Sequence, residues 1–147
     1  MAIAWANDLS TGIDVIDGQH KRIVDYINQL EHALVQGDRV AVGEVLAELV
    51  DYTLSHFAFE ESLQEEAGYV YAKPHKAIHE LFAKRVAQYK ERHTIGEDIA
   101  KELHGMLCTW LVHHIKRDDM AYVKDVTANI TVKEKGWLGR SLEKFFK

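Results

Sequence analysis

His56-Phe57-Ala58-Phe59-Glu60 sets an imidazole and a carboxylate four residues apart, so on a helix both project from one face. That face is expected to be the buried one. Val42, Val45, Leu46, Leu49 and then Tyr52 or Thr53 recur at helical spacing and lead into His56, and Leu63 follows Glu60 on the same stripe. A polar pair at the end of an apolar stripe costs free energy unless something satisfies it, and a metal ion would.

The same oddity recurs on three further helices. The first is expected from about Gly18 to Gln36, ended by Gly37-Asp38, with Ile23, Val24, Ile27, Leu30 and Leu34 as its stripe and His20 in register near its start. Residues 1 to about 17 read as an extended arm, because Ser10-Thr11-Gly12 and Asp17-Gly18 interrupt its apolar side chains. The second helix runs from about Val40 to Glu66, with Glu61, Glu65 and Glu66 on a solvated face. The third opens at Lys73-Pro74, where proline suits the first helical position, and carries His75 and His79 one turn apart among Ile78, Phe82, Val86 and Tyr89. The fourth follows Gly96 and continues to about Tyr122, with Ile99, Leu103, Met106, Leu107, Trp110 and His114 on its stripe and Asp118-Asp119 one turn later. His32, His93, His104 and His113 fall off the stripes and read as surface or rim residues.

Four long amphipathic helices with short connections make an all-α, up-down-up-down four-helix bundle. In that topology the starts of helices one and three lie beside the ends of helices two and four. His20, His56, Glu60, His75, His79, His114 and one of Asp118 or Asp119 then meet at one level of the core. One histidine on an apolar stripe is ordinarily a hydrogen-bonded core residue. Five at one level with two carboxylates are a large desolvation penalty without a ligand. Imidazole and carboxylate without thiolate suit iron, manganese, copper or zinc, and seven ligands exceed one site, so two metals are implied. Carboxylate-rich di-iron bundles use Glu-x-x-His pairs. The histidine-dominated set here suits reversible ferrous–ferric redox better than high-valent chemistry.

Composition narrows the alternatives. A chain of 147 residues with one proline is expected to form one domain with a real core, spanning residues 1–132, and a tail, 133–147. Cys108 is the only cysteine, which excludes an internal disulfide and a multi-thiolate metal site and suits a reducing cytoplasm. No secretory leader or membrane-spanning run is expected. The net charge of −5 and the lack of a basic stripe in the bundle argue against nucleic acid as a partner. The tail gathers Trp137, Leu138, Leu142, Phe145 and Phe146 on one side of a short amphipathic helix, with five basic residues against two acidic ones. It reads either as a cap on the bundle or as a surface for a membrane or a partner.

The motifs Gln19-His20-Lys21, His56-Phe57-Ala58-Phe59-Glu60-Glu61, His75-Lys76-Ala77-Ile78-His79 and Trp110-Leu111-Val112-His113-His114-Ile115, with Asp119 and Tyr122, resemble those of the bacterial hemerythrins. Trp5 and Ser10-Thr11-Gly12-Ile13 match as well, so the likeness runs from about residue 5 to 126. The resemblance implies a non-haem di-iron centre. His75, His79 and His114 would bind one iron and His20 and His56 the other. Glu60 and Asp119 would bridge them with an oxo or hydroxo group, and O2 would take the vacancy on the two-histidine iron. It also selects Asp119, five residues after His114, over Asp118 at the helical spacing of four; Asp118 then reads as surface. Ile23, Phe57, Trp110, Leu111 and Ile115 are expected to line a dry O2 pocket. The function implied is reversible O2 binding for storage or for delivery to an oxygen-consuming enzyme, and not catalysis. The alternatives are an O2 or redox sensor working through a partner and a peroxidase- or oxidase-like enzyme.

Overall fold

The computed structural model describes residues 4–123; the expectations for the tail, residues 133–147, lie outside them. Among the described residues the elements are a short 3-10 turn, Asn7–Leu9, and four α-helices: α1, Asp14–Gln36; α2, Arg39–Glu66; α3, Ala72–Thr94; and α4, Ala100–His113. No strand occurs among them. Helix α4 passes directly into a π-helical turn, His114–Asp119, and residues 120–123 are again α-helical. Helix α1 packs against α2 and α4, and α2 also against α3. Helices α3 and α4 meet through rings, with Phe82 stacked on Trp110 at a centroid separation of 3.8 Å. This is the expected up-down-up-down bundle.

The start of α1 corrects one expectation. The helix begins at Asp14, not near Gly18, so Val15 and Ile16 are helical. Asp17 explains why. Its carboxylate accepts from the Thr11 amide at 2.8 Å, the Thr11 hydroxyl at 2.7 Å and the Ser10 hydroxyl at 2.8 Å. The Ser10-Thr11-Gly12 segment, which interrupts the apolar pattern, is thus the strap that closes the helix start. Asp14 and Asp17 also place negative charge in the first turn, where the helix dipole favours it.

The α1–α2 turn is equally short. Gly37 takes a φ of 64°, a conformation that a Cβ would strain, and its amide closes α1 onto Ala33 and Leu34. Asp38 then caps α2 by accepting from the Ala41 amide at 3.0 Å.

The apolar interior falls into two clusters. The larger includes Ile23, Ile27, Leu49, Phe57, Phe82, Leu107, Leu111 and Ile115. The smaller contains Ile16, Phe59, Leu63, Tyr122 and Val123. On α1, His20 falls between Ile16 of one and Ile23 of the other. On α2, Glu60 falls between Phe57 and Leu63. The polar residues therefore form a layer between two dry clusters. No described helix is long and apolar enough to cross a membrane.

Candidate metal centre

Each helix contributes to that layer from a fixed position. α1 supplies His20, α2 His56 and Glu60, and α3 His75 and His79. The π turn supplies His114 and Asp119. All seven are buried; Glu60 and Asp119 have no exposed surface. They form two groups whose ligating atoms lie within 4.8 Å of one another. One is His75, His79, His114 and Asp119; the other is His20, His56, Glu60 and Asp119.

All five imidazoles turn Nε2 inward. His20 Nε2 lies 3.0 Å from Asp119 Oδ2, and His75 and His114 Nε2 lie 3.0 and 3.1 Å from Asp119 Oδ1. Glu60 Oε1 is 3.0 Å from His56 Nε2 and 3.5 Å from His79 Nε2. Asp119 therefore stands between the two groups, and Glu60 touches a histidine of each.

Several of these atoms are close without being hydrogen-bonded. His20 Nε2, Glu60 Oε1 and Asp119 Oδ2 are buried with no hydrogen-bond partner, although each has a neighbour at 3.0 Å. His79 and His114 also oppose their Nε2 atoms at 3.1 Å, where two imidazoles can share only one proton. Orphaned donors converging in this way are costly alone and are satisfied by cations. The donor set fits a pair of borderline transition-metal ions.

The Nδ1 atoms of His56, His75 and His114 are held by a second set of side chains, whereas those of His20 and His79 are buried without a hydrogen-bond partner. Asp118 Oδ2 lies 3.0 Å from His114 Nδ1, and Gln19 Oε1 lies 2.5 Å from His56 Nδ1. The Gln64 amide lies 3.0 Å from His75 Nδ1 through its nitrogen, which leaves Gln64 Oε1 buried and unpaired. Turning that amide over lets Nδ1–H donate to Oε1, the tautomer that frees Nε2 for a metal. Glu61 Oε2 approaches His79 Nδ1 at 3.9 Å. The Tyr122 hydroxyl donates a short hydrogen bond to Glu60 Oε2.

Electrostatics match this geometry. Burial and the Asp119 charge oppose ionisation of Glu60, yet His56 and His79 hold it at about 2. Burial likewise opposes ionisation of Asp119, and His114, His20 and His75 outweigh it, so its carboxyl lies well below the ordinary range. Burial favours neutral His114, but Asp119, Asp118 and Glu60 raise it to about 10, so a metal there displaces a bound proton. Burial holds His79 below the ordinary imidazole value. Burial and the two carboxylates push the Tyr122 phenol well up, which keeps it a donor.

A cavity of about 10 Å³ adjoins the cluster, enough for one molecule the size of water. His20, His56 and His114 face it, and Ile23, Phe57, Trp110 and Leu111 line it. Ile115 does not. It follows His114 directly, leaves the cavity face, and is fully buried in the larger apolar cluster. Ile27, Leu49, Thr53, Phe82 and Leu107 complete the wall. Their sequence signal was their place on the same stripes as the histidines, toward the bundle middle. Phe57 ties wall to cluster, its ring stacked on His79 at 3.7 Å.

Three further expectations change. Asp118 is only 14% exposed and holds His114, so it is not a surface carboxylate. Glu61 is half-buried against His79 and not on the solvated face. His104 is buried, with its Nε2 3.7 Å from the Cys108 sulfur, whereas His32 and His113 are exposed as expected.

Five inward imidazoles and two buried carboxylates form two adjoining groups, sharing Asp119, that could each hold a metal ion within a helical bundle. The Hemerythrin HHE cation binding domain matches residues 11–126. The chain belongs to the hemerythrin family. It is 52% identical to a bacteriohemerythrin of Pseudomonas aeruginosa, over 98% of this chain and 97% of that one. It is 31% identical to a bacteriohemerythrin of Methylococcus capsulatus, over 82% of this chain and 93% of that one. A crystal structure of wild-type hemerythrin superposes with a TM-score of 0.82 at 28% identity, covering 86% of this chain and 99% of that chain.

Proposed function

We propose that this protein binds dioxygen reversibly at a non-haem di-iron pair, for O2 storage or delivery. The observation that carries the reading is a small, apolar-walled cavity faced by His20, His56 and His114, beside two adjoining groups of candidate metal ligands. In this reading His75, His79 and His114 would hold one iron and His20 and His56 the other, with Glu60 and Asp119 shared between them. The iron pair, when bound, supplies the two electrons that O2 takes up and returns.

The chain's own residues make that exchange reversible. Gln19, Gln64 and Asp118 fix the rings of His56, His75 and His114, so that each Nε2 stays directed inward. Tyr122 holds the outer oxygen of Glu60. Ile23, Phe57, Trp110 and Leu111 keep water, and the protons it carries, away from the ligand. A dry wall favours release of O2 intact over irreversible oxidation.

The test is an absorption spectrum of reduced protein without air and again in air, with iron counted. The expected result is two irons per chain and a colour that appears in air and bleaches under argon. A ferric spectrum that persists under argon removes carriage. Net consumption of O2 with a reductant, without a stable coloured form, makes the protein an enzyme.

A further inference from the structure

One polar side chain in the cavity wall has no part in holding iron or orienting its ligands. Thr53 is 5% exposed, and its hydroxyl oxygen is buried without a hydrogen-bond partner. It lines the cavity together with His20 and His56. A helical threonine ordinarily returns its hydroxyl to the carbonyl one turn earlier. Thr53 forgoes that bond. It lies three residues before His56 and four before Phe57, so it shares the helix face that carries both. Apart from the histidines, the side chains around it in the cavity wall are aliphatic or aromatic.

A buried hydroxyl with no partner is a cost that valine, of nearly the same shape, would remove. The hydroxyl gains its bond when the cavity holds a molecule able to accept one. We propose that Thr53 is a ligand-binding residue whose hydroxyl donates a hydrogen bond to a small acceptor lodged in the cavity, O2 or a linear anion such as azide. This inference rests on the O2-binding reading above. Azide carries its own negative charge, and O2 would take on negative charge at a reduced iron; a donor in a dry wall stabilises such charge better than one in water. The hydroxyl therefore slows ligand loss and favours ligands that carry charge when bound over those that do not.

The experiment uses full-length, iron-loaded wild type, Thr53→Val and Thr53→Ser. Azide affinity is measured on the oxidised forms, O2 dissociation on the oxy forms, and thermal midpoint and iron content on all. Thr53→Val is expected to keep two irons and an equal or higher midpoint while binding azide about tenfold more weakly and losing O2 about tenfold faster. Thr53→Ser is expected to restore both. A crystal structure of the azide complex should place the ligand within hydrogen-bond distance of the Thr53 oxygen. Thr53→Val that matches wild type in both ligand measurements overturns this inference alone. Wild type that carries two irons yet takes up neither O2 nor azide overturns the O2-binding reading, and this inference with it.

Discussion

Asp118 shows how much of the site depends on residues that need not touch a metal. It sits beside His114 Nδ1 at 3.0 Å, and its own carboxyl is held below the ordinary range chiefly by that bond. Replacing it with alanine would leave the seven proposed ligands in place but free the His114 ring to turn. Such changes typically cost about 10–100-fold in metal affinity. Asp118→Ala is therefore expected to lose iron to a competing chelator at roughly that lower concentration, with its helix content unchanged. Equal retention of iron would make the contact incidental. The five histidines and Glu60 were legible in the sequence because each interrupts an apolar stripe, and burial makes that interruption costly. Gln19, Gln64, Glu61 and Asp118 were not legible in role. Their work depends on which imidazole nitrogen faces them, and that angle is set by packing between helices.

The choice between Asp118 and Asp119 belongs to the helix. A uniform α-helix puts the residue four after His114 on its face and turns the fifth away. The π turn over His114–Asp119 widens the helix, so both carboxylates reach the same imidazole, Asp118 at Nδ1 and Asp119 at Nε2. Such turns are rare and gather at functional sites. Periodicity assumes a constant turn and cannot show one. Here only the family's spacing pointed to Asp119. The start of α1 was misplaced for a related reason: Asp17 and Gly18 read as a break, while the Asp17 carboxylate was gathering three hydrogen bonds from the strap before it. Burial opposes the Asp17 charge, and those bonds outweigh it, leaving the carboxyl below its ordinary value. A carboxyl depressed by folding contributes stability above its unfolded value, and that contribution is lost as pH falls through the folded one. Asp17→Asn is expected to destabilise metal-free protein by about 1–2 kcal/mol near neutrality. The gap should close as pH falls below about 4. Urea unfolding at a series of pH values measures it; a gap that stays constant with pH would mean that the carboxylate charge is not what closes the helix start.

At the scale of the whole molecule, the bundle has been cut in two by a polar layer. Among the described residues the larger apolar cluster is distinct from the smaller one around Phe59, Leu63 and Tyr122, and buried imidazoles and carboxylates lie between them. That layer is a cost in the metal-free protein; with two ions bound as proposed above it would become a set of cross-links, because side chains from α1, α2, α3 and the π turn would share them. The helix order and direction that create it were readable from stripe and turn alone, since short connections leave few ways to pack four helices. Stripping iron with a chelator is expected to lower the thermal midpoint by several degrees or more, each 1 kcal/mol being worth about 2–4 °C in a chain of this size. Reconstitution should restore it. Equal midpoints with and without iron would mean that the layer is satisfied without metal. With iron bound as proposed, the polar layer would also make the protein's lifetime a gauge of iron supply. Chains that fold while iron is scarce spend more time open, and proteases sample the open state. The cellular level of this protein would then follow iron availability without any change in its synthesis.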